Sequence, residues 1–254
     1  MTYKKFDFTG RAGLVTGAGS GIGRASALAL AQSGAKVLVC DINEAGATET
    51  VDLIIADGGT AAALCGDVSQ AEYADAIVKE TIGRFGSLDF AHNNAGVEGA
   101  LAPTGEADLE DFQRGLSINL TGVWLCMRAE LREMARNGQG SIVNTSSVAG
   151  LTAVPGCGSY GAAKHGVIGL TKTAAVEYAE QGVRVNAICP GLTRSGITKR
   201  LIENAPDLIE ALLPPMKRLA EPEEIAGTVV FLLSDAATYL TGQAIAIDGA
   251  ATAV

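Results

Sequence analysis

The stretch Thr16-Gly-Ala-Gly-Ser-Gly-Ile-Gly23 constrains this chain more than any other. It follows the short apolar run Gly13-Leu14-Val15 and precedes an apolar-periodic segment, Ala25 to Gln32. A buried strand, a glycine-rich turn and a helix N-terminus in that order form a phosphate site. Glycines let the backbone turn sharply and approach a ligand without a Cβ clash. The free N–H groups of the helix's first turn then receive a pyrophosphate. A second apolar run, Lys36 to Cys40, ends in Asp41, at the separation where an acidic residue reaches an adenine ribose. The candidate cofactor residues of this half are Gly17, Ser20, Gly21, Ile22, Asp41 and Ile42.

Asp41 also bears on which dinucleotide binds. A carboxylate accepts a hydrogen bond from a ribose 2′-OH. It repels a 2′-phosphate by about 4 kcal/mol at roughly 4 Å and an effective dielectric near 20. No arginine or lysine lies within Gly17 to Gly23 or directly follows Asp41, and Arg24 in the helix's first turn is the nearest base. The expected cofactor is NAD rather than NADP. A plainer reading makes Asp41 the N-cap of a helix beginning near Asn43-Glu44.

A second constellation lies downstream: Ser147, then Tyr160-Gly-Ala-Ala-Lys164. Residues about four apart share a helix face, so the phenol and the ammonium point the same way. A nearby cation favours the phenolate and lowers a tyrosine pKa from its usual value near ~10. Ser147 can offer a second hydroxyl to the same substrate oxygen. The chain's two histidines, His92 and His165, have no clustered partners, so no metal site is expected. The five cysteines are odd in number and scattered without C-x-x-C spacing, and read as free thiols, mostly buried.

Apolar runs recur at Gly13 to Thr16, Lys36 to Asp41, Ala61 to Cys65, Leu88 to His92, Ser141 to Thr145, Arg184 to Cys189 and Ala244 to Asp248. Helical periodicity fills the intervals at about 22–33, 44–57, 70–84, 108–136, 159–180 and 222–234. Regular β–α alternation predicts a doubly wound α/β fold, Rossmann-like, with a seven-stranded parallel sheet and helices on both faces. The 48% hydrophobic content suits strands buried on both sides. No linker-like tract divides the 254 residues, so one dinucleotide-binding and catalytic domain over 1–254 is expected. A net charge of −9 without a basic cluster argues against nucleic acid or an anionic membrane as partner. No signal-peptide core or bilayer-length apolar run is present, and a cytoplasmic protein is expected.

Taken together, the sequence resembles the short-chain dehydrogenase/reductase family from about Gly10 to Gly249. The motifs are Thr16-Gly-x-x-x-Gly-Ile-Gly23, Asp67-Val68, Asn93-Asn94-Ala95-Gly96, Asn119, Ser147, Tyr160-x-x-x-Lys164 and Pro190-Gly191. The resemblance implies that Asp67 and Val68 hold the adenine and that Asn94, Ala95 and Gly96 line the centre of the cofactor. It implies contacts to the nicotinamide from Pro190, Gly191, Thr193 and Ser195, the last where the family often has threonine. Tyr160 becomes the general acid/base and Lys164 lowers its pKa while holding the nicotinamide ribose. Ser147, chosen over Ser146 by the family's spacing, orients the substrate oxygen, and Asn119 holds a relay water. Residues 192–218 become a substrate lid, and the small-residue helix from Ser159 to Glu180 helps build a homotetramer.

The implied activity is hydride exchange between NAD(H) and a secondary alcohol or ketone. Apolar residues in the lid segment, such as Ile197, Leu201 and Leu213, point to a cyclic, aromatic or diol substrate. The nearest alternative is a 3-oxoacyl thioester reductase. A non-catalytic NAD-binding sensor and a cofactor-free docking domain are the rivals from other classes. One departure concerns the tail, where Asp248-Gly249-Ala250 stands in place of the usual Asp-Gly-Gly.

Overall fold

The computed structural model of the chain describes residues 6–196, 198 and 212–253. The strands are β1 (Ala12–Thr16), β2 (Lys36–Asp41), β3 (Thr60–Cys65), β4 (Phe90–Asn93), β5 (Gly140–Thr145), β6 (Val183–Pro190) and β7 (Ala244–Ile247). They form one seven-stranded sheet in the order β3-β2-β1-β4-β5-β6-β7. All six strand pairs are parallel. The helices between them are α1 (Gly21–Gln32), α2 (Glu44–Ala56), α3 (Ala71–Phe85), α4 (Leu109–Leu116), α5 (Val123–Asn137), α6 (Gly158–Tyr178) and α7 (Pro222–Leu233). This is a doubly wound, Rossmann-like α/β fold.

Alternation within the strands separates two cores. Leu14, Leu38, Ala91 and Ile142 face α3, α5 and α6. Their neighbours Val15, Val37, Val39, Phe90 and Val143 face α1, α2 and α7. Successive strand residues point to opposite faces, so a sheet covered on both sides needs apolar residues at nearly every position. Winding reverses between β1 and β4, which opens a crevice at the carboxyl ends of those strands.

Most element ends fall within a residue or two of the sequence expectation, and three departures have a physical cause. The helix expected over 108–136 is interrupted: α4 passes into a π-helical turn, Ser117–Gly122, before α5 begins. Such bulges add a residue within a helix and often mark functional positions. Strand β4 begins at Phe90 rather than Leu88, because the Asp89 carboxylate is drawn to the Ala12 N–H at 2.8 Å and the Ser87 hydroxyl at 2.6 Å. Strand β7 stops at Ile247, since Asp248 accepts from the N–H of Ala250 and from both the N–H and hydroxyl of Thr252, turning the chain. Among the described residues, no helix is long and apolar enough to cross a membrane.

Close packing of β1 on β4 yields a test. A Cβ on Gly13 would lie 2.3 Å from both the Phe90 ring and the Phe90 carbonyl oxygen, so rotating the ring gives no relief. Gly13→Ala should destabilise the fold by about 1–3 kcal/mol, read from the urea unfolding midpoint.

Candidate active site

The glycine turn is built by contacts that exclude side chains. Gly17 and Gly21 have φ of +62° and +51°, the left-handed region. A Cβ on Gly23 would lie 2.2 Å from the Gly17 carbonyl oxygen, and one on Gly17 would lie 2.8 Å from Ala95 Cα. The turn is clasped to the end of β4. Thr16 Oγ1 accepts from the N–H groups of Asn94 (2.9 Å) and Ala95 (3.1 Å). Asn94 Nδ2 donates to the carbonyls of Thr16 and Gly17 at 3.2 and 3.3 Å. Ser20 occupies the N-cap of α1 without a side-chain capping bond, and no acidic residue enters the first turn. The positive end of the helix is thus directed to an outside anion. This cradle fits a dinucleotide pyrophosphate.

Asp41 is not a helix cap; Asn43 caps α2 by accepting from the Gly46 N–H. The Asp41 carboxylate instead accepts from the Gly19 N–H at 2.7 Å and the Asn43 N–H at 2.8 Å. Both bonds hold the acid beside the turn. Arg24 is engaged elsewhere, on Glu49 at 2.5 Å, the Gly19 carbonyl at 2.5 Å and the Thr50 hydroxyl at 3.0 Å. Ile42 follows, 71% exposed, at the rim. Asp67 accepts from the Ser69 N–H, and Gln70 rather than Asp67 takes the N-cap of α3. Val68 is buried against Gly122.

The chain after β6 folds back over the glycine turn. A Cβ on Gly21 would sit 3.5 Å from Ser195 Cβ. Gly191 donates to the Ile247 carbonyl and approaches Asp248 so closely that a Cβ would lie 2.9 Å from its Cα. Thr193 is buried and donates its hydroxyl proton to the Gly191 carbonyl. Pro190 ends β6. Of the expected lid, Ile197 and residues 199–211, including Leu201, lie outside the described residues.

Ser147, Tyr160, Lys164 and Asn119 converge beside this crevice. Ser147 heads a short 3-10 turn, Val148–Gly150, accepting from the Ala149 N–H. Ser146 is buried, with its hydroxyl donated to the Lys164 carbonyl at 2.8 Å. Ser147 instead faces the Tyr160 phenol and lowers its pKa. Lys164 is 2% exposed, and its Nζ donates to the Thr145 carbonyl at 2.8 Å. The same Nζ lies 5.5 Å from the centroid of the Tyr160 ring.

Burial dominates the electrostatics. It pushes the Tyr160 phenol above its ordinary pKa of 10, opposed by the Ser147 hydroxyl and reinforced by Cys157 and Glu98. It pulls Lys164 down from 10.5 to about 8. The Lys164 ammonium is held on the Thr145 carbonyl, one helix turn along α6 from Tyr160. Burial also raises the half-buried Cys157 thiol, which keeps it protonated and weakly nucleophilic.

Asn119 is fully buried in the π-helical turn. Its Oδ1 accepts from the Val97 N–H and its Nδ2 donates to the Val97 carbonyl, both at 2.9 Å. The side chain thus clamps the Asn94–Val97 loop and leaves one Nδ2–H unused. Lys164 Nζ stands nearby, 3.6 Å from where a Gly96 Cβ would project. Two residues that no motif singled out complete the frame. Thr145 donates its hydroxyl to Asn94 Oδ1 at 3.3 Å, and Thr145 Oγ1 also meets His92 Nε2 at 2.9 Å. His92 is held neutral, its pKa pulled down to about 3 by burial. Their positions at the ends of β5 and β4 were the one available signal. No metal-binding cluster occurs among the described residues.

A family model described as Enoyl-(Acyl carrier protein) reductase matches residues 17–252. The 2,5-dichloro-2,5-cyclohexadiene-1,4-diol dehydrogenase of Sphingobium indicum is 45% identical over 251 residues, 98% of this chain and 99% of that protein. The cyclohexanol dehydrogenase of an Acinetobacter species is 43% identical over 245 residues, covering 96% of each chain. The crystal structure of NAD⁺-bound xylitol dehydrogenase matches with a TM-score of 0.92 and 36% identity, over 95% of this chain and 99% of that one. The chain belongs to the short-chain dehydrogenase/reductase family and is an oxidoreductase of that class.

The Asn119 clamp is testable by substitution. Asn119→Ala strips both Val97 backbone groups of their partner and should cost about 1–3 kcal/mol of stability, read by thermal or denaturant unfolding.

Proposed function

We propose that the protein is an NAD-dependent dehydrogenase of a cyclic, aromatic or diol secondary alcohol, acting reversibly on the matching ketone. The observation that carries this reading is the Ser147 hydroxyl facing the Tyr160 phenol, with Lys164 one helix turn on and its Nζ 5.5 Å from the ring centroid, set beside a glycine turn that fits a pyrophosphate. Gly17, Ser20, Gly21 and Ile22 would hold the pyrophosphate, and Asp41 the adenine ribose. Asp67 and Val68 would flank the adenine. Asn94 to Gly96 and Pro190, Gly191, Thr193 and Ser195 would line the nicotinamide half. A bound nicotinamide supplies the two-electron exchange.

The chain's own groups manage the proton. In alcohol oxidation Tyr160, as phenolate, takes the hydroxyl proton while Ser147 hydrogen-bonds the same oxygen. In ketone reduction the phenol returns that proton. Lys164 supplies the counter-charge that a buried phenolate needs, and Asn119 fixes the loop over which the proton leaves.

Apolar residues on two adjoining loops support the substrate class. The Ala102 N–H donates to the Gly156 carbonyl at 3.1 Å, bringing the loops around 97–102 and 151–157 together. Leu101 and Leu151 are exposed on those loops. Relatives named for a cyclohexadiene diol and for cyclohexanol favour a ring-bearing substrate. Exposed Leu109, Trp124 and Val176 on α4, α5 and α6 favour burial of this face in a homotetramer. Five unpaired cysteines favour a reducing, cytoplasmic setting.

Initial rates with NAD⁺ and NADP⁺ over a panel of cyclic alcohols, cis-diols and sugars test the assignment, and strong glucose preference would reject the substrate class. Tyr160→Phe should reduce kcat at least about a hundredfold with cofactor affinity nearly unchanged, and retained turnover would remove Tyr160 from its role. Because burial raises the phenol's pKa above 10, alcohol oxidation should still be climbing with pH at 10, while ketone reduction should hold until the phenol loses its proton above that. A flat profile with chemistry rate-limiting would contradict this. Asp41→Ala should shift the NADP⁺/NAD⁺ ratio of kcat/KM upward by about a hundredfold, since it removes a repulsion of a few kcal/mol.

A further inference from the structure

Beneath the site lies a buried acid that the chemistry above does not use. Glu130 of α5 is 0% exposed. Its Oε2 accepts from Asn93 Nδ2 at 2.9 Å, while its Oε1 has no hydrogen-bond partner. Asn93 Oδ1 has none either. Asn93 Nδ2 also donates to Asn144 Oδ1 at 3.0 Å, directly across the β4–β5 register. Asn144 Nδ2 passes the chain on to the Thr171 hydroxyl at 3.0 Å, seven residues and about two turns along α6 from Lys164. One buried network thus ties α5, β4, β5 and α6 together below the crevice. It ends on the residue immediately before Asn94.

We propose that Glu130 is a positioning residue that works as a neutral carboxylic acid, holding Asn93 and through it the Asn94–Gly96 cofactor loop. The proposal rests on the reading of that loop as cofactor-binding. An ionised carboxylate here would be a buried charge with a single donor, which is strongly unfavourable. A proton on Oε1 converts the orphaned acceptor into a donor and removes the charge. The titratable groups facing it are the thiols of Cys126 on α5 and Cys40 on β2, with Tyr73 of α3, bonded to the Leu64 carbonyl, beside Cys40. Burial raises all three, so they stay protonated and neutral at moderate pH and supply no counter-charge.

Burial lifts Glu130 from 4.5 to about 8, against the Asn93 hydrogen bond. With the folded value above the unfolded one, the fold retains a proton that the unfolded chain has released. The stability this group contributes is complete below about pH 4.5 and is lost as pH rises through about 8. Cofactor binding should weaken in the same window, as the buried charge is relieved only by opening the network to water, which shifts Asn93.

Glu130→Gln copies the neutral acid in shape and cannot ionise. NADH affinity by fluorescence and Tm should be measured from about pH 6 to 9.5 in wild type, Glu130→Gln and Glu130→Ala, each as the assembled enzyme. The wild-type Kd should rise about tenfold above pH 8, and that of Glu130→Gln less than about twofold. Tm of Glu130→Gln should exceed the wild type by about 3 °C or more at the alkaline end, with the gap closing at the acid end. Glu130→Ala, if it folds, should bind NADH about tenfold more weakly throughout. Parallel pH profiles in wild type and Glu130→Gln, with NADH bound, would overturn the role of Glu130. No NADH binding by wild type at any pH would instead overturn the cofactor reading.

Discussion

The Asn94 side chain is the interaction on which the site depends. It donates to the carbonyls of Thr16 and Gly17 at the end of β1 and accepts from the Thr145 hydroxyl at the end of β5. Three strand ends are thereby fixed at the point where the winding of the sheet reverses. Thr145 in turn receives Lys164 Nζ on its backbone carbonyl. A single amide therefore links the glycine turn to the lysine of the chemical group. This explains why the glycines are needed where they are. Gly17 and Gly23 must pack on Ala95 and on each other at distances that a Cβ would forbid, or the amide cannot span the gap.

Burial does much of the chemical tuning. Water exclusion moves Tyr160 toward its neutral phenol and Lys164 toward its neutral amine. Neither shift alone yields a base near neutral pH. An ammonium and a phenolate brought together in the same dry site each lower the other's desolvation cost. The framework places the two side chains on one face of α6, with the ammonium 5.5 Å from the ring centroid, so a small swing of the lysine from the Thr145 carbonyl strengthens the pairing. The Ser147 hydroxyl lowers the phenol's pKa and so contributes in the same direction.

Much of this was legible in the sequence. Apolar runs announced the seven strands, and glycine spacing with Asp41 announced the cradle. Local chemistry sufficed there because each signal acts over a few residues. The π-helical turn was not legible, since Ser117-Ile-Asn-Leu-Thr-Gly122 keeps ordinary helical periodicity and the bulge is imposed by packing of Asn119 on Val97. The Asn93–Asn144 pair depends on strand register between segments about fifty residues apart, which no local pattern encodes. Glu130 sits among Met127, Arg128, Leu131 and Arg132, where helical spacing alone does not separate an exposed acid from an inward one.

The tail shows how a departure from a common pattern is absorbed. Ala250 stands in the left-handed region at φ 72°, where glycine would be free of strain, and Lys217 does so at 56°. Each costs roughly 1–2 kcal/mol relative to a relaxed backbone. Both lie at one junction, where the Met216 N–H donates to the Gly249 carbonyl and Pro214 packs on Gly249. Asp248 holds the tail side by accepting from Ala250 and Thr252, and it also packs on Gly191 beside the crevice. The segment returning to the sheet at 212–218 is therefore tied to the end of β7 and, through Gly191, to the end of β6. Strain at this junction is tolerated because four chain segments over-determine it. Substrate-facing loops can differ widely on such a frame, because their ends are fixed by the same contacts that fix the chemistry.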